Sequence, residues 1–256
     1  MVPAVFTDAL RRVDPSWRPV VARGLEAVAL ADPAYLPALA AAAFLPTQGR
    51  IFDAFAQPLD AVRYVLVGEG PYPRDQSATG VCFMDGAVNE LWSLSGLSKP
   101  VNRATSLRNF MKMLMVAAGL LQPDATGGDA VAAVAQRALA ADSTFIRTLP
   151  ELQHNLHSHG FLLLNAALVF RPDVAPLKDA RAWRPLLEVV LEALSDRQEQ
   201  SAPTLVLWGK IAGWIDDLPA VAHFPKAVAE HPYNLSFINN SAMQSLFGPM
   251  QLLRAA

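Results

Sequence analysis

Four short runs stand out along the chain: Val62 to Val67, Phe161 to Leu164, Thr204 to Trp208 and Lys226 to Glu230. They are mostly apolar, too short for typical helices, and the first is closed by Gly68, the pattern of buried β-strands. Helical stretches separate them, notably Leu107 to Ala118, Ala182 to Leu194 and Lys210 to Asp216. Near-continuous apolar strands alternating with helices predict an α/β fold, with a four-stranded parallel sheet covered by helices on both faces. Residues 1–60 read as alanine-rich and helical, punctuated by Pro15, Pro19, Pro33, Pro37, Pro46 and Pro58, each of which tends to start or stop a helix. A single domain over residues 1–256 is expected, opening with a helical segment at about residues 1–45. Asp124 to Asp129, with Gly127-Gly128 inside it, reads as a loop between helices.

Composition narrows the class. Hydrophobic residues make up 52% and charged residues 17%, which suits a buried core and excludes a disordered chain. Twenty-one Lys and Arg stand against 23 Asp and Glu, so a strongly basic nucleic-acid binder is excluded. Cys82 is the one cysteine, which rules out an intrachain disulfide, a multi-cysteine metal site and an iron-sulfur cluster. No metal and no cofactor is expected. The first residues include Asp8, Arg11, Arg12 and Asp14 instead of an apolar secretion signal, and no apolar run reaches a membrane span. The expected location is the cytoplasm, with no membrane partner.

Each strand gives way to a polar or tightly turned segment. The first leads into Gly68-Glu69-Gly70-Pro71-Tyr72-Pro73-Arg74-Asp75, the second ends at Asn165, the third at Trp208-Gly209-Lys210, and the fourth at His231-Pro232-Tyr233-Asn234-Leu235-Ser236. Open α/β sheets bind ligands outside the carboxyl ends of their strands. Each motif alone has a plain explanation: Gly-x-Gly-Pro makes a tight turn, a strand-end Asn caps a helix, and His-Pro sits in a loop. Their joint placement points to one binding site.

Together these residues resemble the uracil-DNA glycosylase superfamily, in the branch marked by Gly-Gln-Asp-Pro-Tyr-His and His-Pro-Ser-Pro-Leu-Ser. Gly80-Val81-Cys82-Phe83 comes in the family's spacing, Ser106-Leu107-Arg108-Asn109 resembles its helix-opening Ser-Leu-x-Asn, and Leu162-Leu163-Leu164-Asn165 resembles its Leu-Leu-Leu-Asn strand. The resemblance runs from about residue 45 onward, with longer loops at residues 86–105 and 121–150. It implies an enzyme that everts a nucleotide from DNA and cleaves the bond between base and sugar. By resemblance, His231 donates to a uracil carbonyl oxygen and Asn165 reads the uracil edge with its amide. Phe83 stacks on the base, Tyr72 stands against carbon 5 to exclude thymine, and Leu235 fills the vacated space. Ser106 and Ser236 hold phosphates, which position the strand without reading sequence.

The pattern breaks at Gly70, which aligns with the family's catalytic aspartate. Glycine can neither stabilise a positive sugar nor orient water. Glu69 is the nearest replacement, because Gly68-Glu69-Gly70-Pro71 also resembles the Gly-Glu-Ala-Pro of another branch; Asp75 is the second candidate. Tyr233 and Asn234 replace Ser-Pro, which puts a ring where DNA would approach, able either to stack on a base or to block the groove. Residues 61–120 carry six Lys and Arg against four Asp and Glu, a weak basic excess that leaves modest duplex affinity or single-stranded DNA as the expectation. The first functional reading is a DNA glycosylase acting on uracil or a related damaged pyrimidine. The alternative is a protein of the same fold that binds uracil or abasic DNA without excision, and a third reading redeploys the site on a free base or nucleoside.

Overall fold

The computed structural model describes residues 1–197 and 202–255. In chain order it contains α1 (Ala4–Ala9), α2 (Arg18–Ala31), α3 (Tyr35–Ala40), β1 (Tyr64–Gly68), β2 (Trp92–Ser93), β3 (Gly96–Leu97), α4 (Lys99–Arg103) and α5 (Thr105–Ala117). After these come α6 (Gly128–Leu139), α7 (Leu149–Ser158), β4 (Phe161–Asn165), α8 (Pro176–Ser195), β5 (Thr204–Trp208), α9 (Ile211–Asp216), β6 (Lys226–Ala229) and α10 (Ser241–Phe247).

The four longer strands form one sheet in the order β4-β1-β5-β6, and β1 pairs with β4 in parallel, from Tyr64 opposite Phe161 to Gly68 opposite Asn165. Amides of Leu205 and Gly209 donate to the carbonyls of Pro225 and Ala229, each at 2.9 Å. Equal steps on both strands are the parallel register. The interior strands are apolar on both faces, as a sheet covered on both sides requires, whereas the edge strand β6 is largely exposed and begins with Lys226, a charge that discourages further pairing.

The chain divides into two compact units. The first comprises Met1–Gly86, Gly160–Val206 and Ile211–Lys226. Its helix α2 starts with Pro19 in the first turn, where the missing N–H has no partner to lose. Helices α2 and α8 approach closely at Gly24, where an added Cβ would lie 2.7 Å from the Leu186 Cγ. Trp183, Phe52, Phe55 and the β1 and β4 side chains fill this core. Beneath it Asp179, 1% exposed, accepts from Tyr35 at 2.8 Å and pairs with Arg171 at 2.5 Å, so the buried carboxylate is fully partnered.

The second unit comprises Ala87–His159, Leu207–Lys210 and Ala227–Ala256. Its core is aromatic: Trp208 packs against Phe110, Phe237 and Phe247 and donates its indole N–H to the Met243 sulfur at 3.2 Å.

Several expectations shift. The first strand starts two residues later, at Tyr64, and includes Gly68; the fourth ends at Ala229 instead of Glu230. The stretches 86–105 and 121–150 hold real elements. Helix α6 starts at Gly128, inside the segment read as a loop, because Val131, Val134, Ala135 and Ala138 bury one helical face. Helix α7 is opened by a reciprocal Thr148/Glu151 capping box. The β2–β3 hairpin has strands of only two residues, too short to leave a periodic trace. The region before β1 is helical only to Ala40, with 3-10 turns beyond.

Candidate functional site

In the first unit the candidate residues sit around the ends of β1 and β4. The parallel ladder runs past the strands: Ala166 donates to the Gly68 carbonyl at 2.8 Å and Ala167 to that of Glu69 at 3.0 Å. The Cys82 amide donates to Leu163 at 3.0 Å, which lays Gly80 to Phe83 along β4. Three close approaches explain the small residues here. A Cβ on Gly68 would stand 2.4 Å from the Cys82 sulfur and 2.9 Å from the Asn165 side-chain oxygen, and one on Gly80 only 1.9 Å from the Arg50 carbonyl. Cys82 is buried, and desolvation pushes its thiol up to about 12, so it packs as a neutral side chain.

Asn165 is 5% exposed, and among the described residues its amide makes no hydrogen bond. Phe83 is half-buried and holds φ at +67°, a left-handed backbone that a bulky side chain adopts only when the surroundings impose it. The Tyr72 hydroxyl donates to the Phe83 carbonyl at 3.5 Å. Burial first, then the Asp85 carboxylate and Cys82, push that phenol up, so it stays protonated. The carbonyl of exposed Glu69 is fixed by the ladder. At Gly70 a Cβ would meet the Ala167 Cβ at 3.4 Å and its carbonyl at 3.6 Å, ordinary contacts that leave room for a side chain. Asp75 is turned elsewhere: its carboxylate, 62% exposed, accepts from the Thr47 hydroxyl at 2.6 Å and lies 3.6 Å from Arg50.

In the second unit the His231–Ser236 segment forms a rigid turn. The Asn234 amide donates to the His231 carbonyl at 2.9 Å, and the Tyr233 amide donates to the His231 Nδ1 at 3.1 Å. A ring whose Nδ1 accepts carries its proton, when neutral, on Nε2; His231 therefore presents a donor. Gly209, with φ at +69°, lies beneath it, and a Cβ there would be 2.9 Å from the His231 Cβ. The turn is gripped by Asn109 of α5. This side chain is 0% exposed and its amide nitrogen donates to the carbonyls of Pro232 at 2.8 Å, Tyr233 at 3.2 Å and Asn234 at 3.4 Å. Ser106 is the second residue of the same helix and is half-buried. Tyr233 and Leu235 are 67% and 69% exposed. The Glu230 carboxylate accepts from Asn240 at 2.7 Å. Partial desolvation would push Glu230 up, but the bonds from Ser236, its own amide and Asn240 outweigh it and hold the carboxyl below its usual range.

Within the first unit, then, Tyr72, Phe83, Asn165 and the Glu69 backbone share one region, and Asp75 does not join them. Within the second, His231, Tyr233, Leu235 and Ser236 share one turn, tied to the helix that carries Ser106 in its first turn. Asn109, Gly209 and Glu230 were not assigned a role from the sequence. Asn109 stood within the Ser-Leu-x-Asn string, but a helix opening says nothing of a partner more than a hundred residues away. Among the described residues no group of three or more His, Cys, Asp or Glu side chains is arranged to hold a metal ion, and no helix is long and apolar enough to cross a membrane.

The fold is an α/β protein built on a four-stranded parallel sheet; the first unit holds a nearly buried amide with no protein partner at a strand end, and the second a histidine whose Nδ1 accepts from the backbone. The wild-type UNG of Nitratifractor salsuginis superposes on it with a TM-score of 0.87 at 36% identity, over 100% of both chains. The uracil-DNA glycosylase of Corynebacterium glutamicum is 28% identical over 253 residues, covering 94% of this chain and 85% of its own. That of Mycobacterium avium is 27% identical over 95% of this chain and 88% of its own. The mimivirus uracil-DNA glycosylase shares the fold, with a TM-score of 0.55 at 14% identity over 90% of this chain and 73% of its own. No family model matches the chain. The chain belongs to the uracil-DNA glycosylase superfamily.

Proposed function

We propose that the protein is a DNA glycosylase of base excision repair, which hydrolyses the N-glycosidic bond of uracil, or of a related damaged pyrimidine, everted from DNA. Asn165 carries the reading. A nearly buried amide that no protein group bonds is free to bind a ligand, and it offers the donor and acceptor that match a carbonyl beside a ring N–H. Phe83 would stack on the base and Tyr72 would stand against carbon 5, where thymine carries its methyl group.

As the bond between sugar carbon and base nitrogen breaks, its electron pair leaves with the uracil and the sugar becomes oxocarbenium-like. Water then adds to the sugar carbon and loses a proton. His231, with its proton on Nε2, would donate to the carbonyl oxygen on which negative charge collects, a preorganised donor of the kind that lowers such barriers most. Of the two candidate carboxylates we assign Glu69 to the sugar and water. The commitment of Asp75 to Thr47 and Arg50 supports that choice. Ser106 would hold a phosphate, Leu235 would occupy the space of the everted nucleotide, and the strand bound would be single. A non-excising binder is not favoured: the relatives of known name are glycosylases.

The test is incubation with a single-stranded oligonucleotide carrying one uracil, then alkali. Strand cleavage at the uracil is expected, together with a loss of about a hundredfold or more in Glu69→Gln. Absence of any break at stoichiometric protein would overturn the proposal. A larger loss in Asp75→Asn than in Glu69→Gln would exchange the roles of the two carboxylates and leave the activity standing. Since Gly70 has room for a Cβ, Gly70→Asp is expected to fold and to raise the rate.

A further inference from the structure

The turn that carries His231 exposes two large side chains that contribute little to folding. Tyr233 and Leu235 are 67% and 69% exposed, and among the described residues the Tyr233 ring and hydroxyl have no hydrogen-bonding or aromatic partner. Their placement is nevertheless rigid. The backbone beneath them is held by the three Asn109 bonds, and Asn234 between them is extended, with φ −77° and ψ 139°. Two positions apart along the chain, their Cα atoms are separated by about 7 Å at most, which is about two base rises along a strand, at 3.4 Å each.

The chemistry of the same turn is wrong for phosphate. From Ala227 to Asn240 there is no Lys or Arg. The Glu230 carboxylate, held by Asn240 at 2.7 Å, is near enough to Ser236 for that hydroxyl to help lower its pKa, so the turn bears a negative charge close to the hydroxyl that the family resemblance assigns to phosphate. A surface with an exposed ring, an exposed aliphatic chain and an anion at its base repels backbone phosphates and suits base faces. Stacking on an aromatic ring is indifferent to sequence and depends little on salt, which distinguishes it from a phosphate grip.

We propose that Tyr233 is a substrate-selecting residue: its ring stacks on the unpaired base next to the everted nucleotide, while Leu235 takes the vacated place, and the pair adapts the protein to single-stranded DNA. This rests on the uracil-excision reading above. In duplex DNA the neighbouring base is already stacked and paired, so the ring has less to gain there.

The experiment measures kcat and KM on uracil-containing single-stranded and duplex oligonucleotides, at two salt concentrations, for the wild type, Tyr233→Ala and Tyr233→Phe. Wild-type excision is established first; its absence on every uracil substrate overturns both the activity and this inference. Given excision, Tyr233→Ala is expected to raise the single-strand KM by about ten- to a hundredfold, the range of one base stack, with a smaller rise on duplex. The salt dependence should be that of the wild type, and Tyr233→Phe should bring KM back to within about twofold, because a ring suffices. Inhibition by free uracil should be the same in Tyr233→Ala and wild type, which separates loss of stacking from damage to the base site. A single-strand KM within twofold of wild type in Tyr233→Ala, a greater loss on duplex, or failure of Tyr233→Phe to restore KM would overturn the stacking role and leave the excision reading intact.

Discussion

Asn109 offers the sharpest test of how the His231 turn is held. Its side chain is 0% exposed, and one nitrogen serves three carbonyls, of which those of Pro232 at 2.8 Å and Tyr233 at 3.2 Å have the distances of real hydrogen bonds and that of Asn234 at 3.4 Å is a weaker third. Asn109→Ala removes the donor, leaves buried carbonyls unsatisfied and opens a small void. An orphaned buried group costs about 1–3 kcal/mol and the void adds to it, so about 2–4 kcal/mol is expected in all. For a chain of this size that is a fall of about 4–16 °C in Tm. Asn109→Asp is nearly isosteric but replaces the donor with a carboxylate oxygen facing three carbonyls. It is expected to be the worse of the two at pH 7. A carboxyl whose folded pKa is raised in this way stabilises the fold below its unfolded value, about 3.9, and loses that contribution as pH rises through the folded value. The deficit of Asn109→Asp against wild type should therefore shrink between pH 7 and pH 5, while that of Asn109→Ala should not. Denaturant unfolding at both pH values reads this directly, and kcat on a uracil oligonucleotide should fall more than KM rises, since the turn carries His231. Wild-type stability at pH 7 with kcat within twofold in Asn109→Asp would refute the reasoning.

The same geometry sets three further outcomes. Gly209→Ala places a Cβ 2.9 Å from that of His231 on a backbone at φ +69°, so about 1–2 kcal/mol of stability and about tenfold or more in kcat should be lost, measured by thermal unfolding and single-turnover excision. Gly68→Ala would crowd the Cys82 sulfur at 2.4 Å and the Asn165 oxygen at 2.9 Å; inhibition by free uracil should weaken, with about 1–3 kcal/mol of overpacking that Gly68→Ala/Cys82→Ala partly relieves. Glu230 has a depressed carboxyl, so its stabilising contribution is present above the usual value of 4.5 and disappears as pH falls through the folded value; the stability gap between wild type and Glu230→Gln in denaturant titrations should close below pH 4.5, and a gap independent of pH would contradict the hydrogen bonds assigned to it.

What could be read from the sequence was whatever a residue's neighbours along the chain determine. Thr204 to Trp208 is a strand with the expected bounds because five consecutive apolar or β-branched residues lead into Gly209. Asn165 could be placed at a strand end for the same reason. The hidden features depend on distant partners. Asp75 is drawn off by Thr47 and Arg50, and Asn109 reaches Pro232, pairings that no local pattern encodes. The positive φ of Phe83 is likewise imposed from outside, since nothing in Gly-Val-Cys-Phe marks its last residue as left-handed. Helix α6 was hidden by Gly127-Gly128, a pair that reads as a turn yet here only precedes and opens a helix whose apolar face is stabilised by packing.

The amides of Ala166 and Ala167 secure the carbonyls of Gly68 and Glu69, so this stretch keeps its path through main-chain atoms alone. Its side chains are thereby uncoupled from its scaffolding. Residues 69 and 70 can change identity without the platform collapsing, and a combinatorial library at these two positions should stay well folded while ranging widely in turnover. Such a library would separate what positions 69 and 70 do for turnover from what they do for folding.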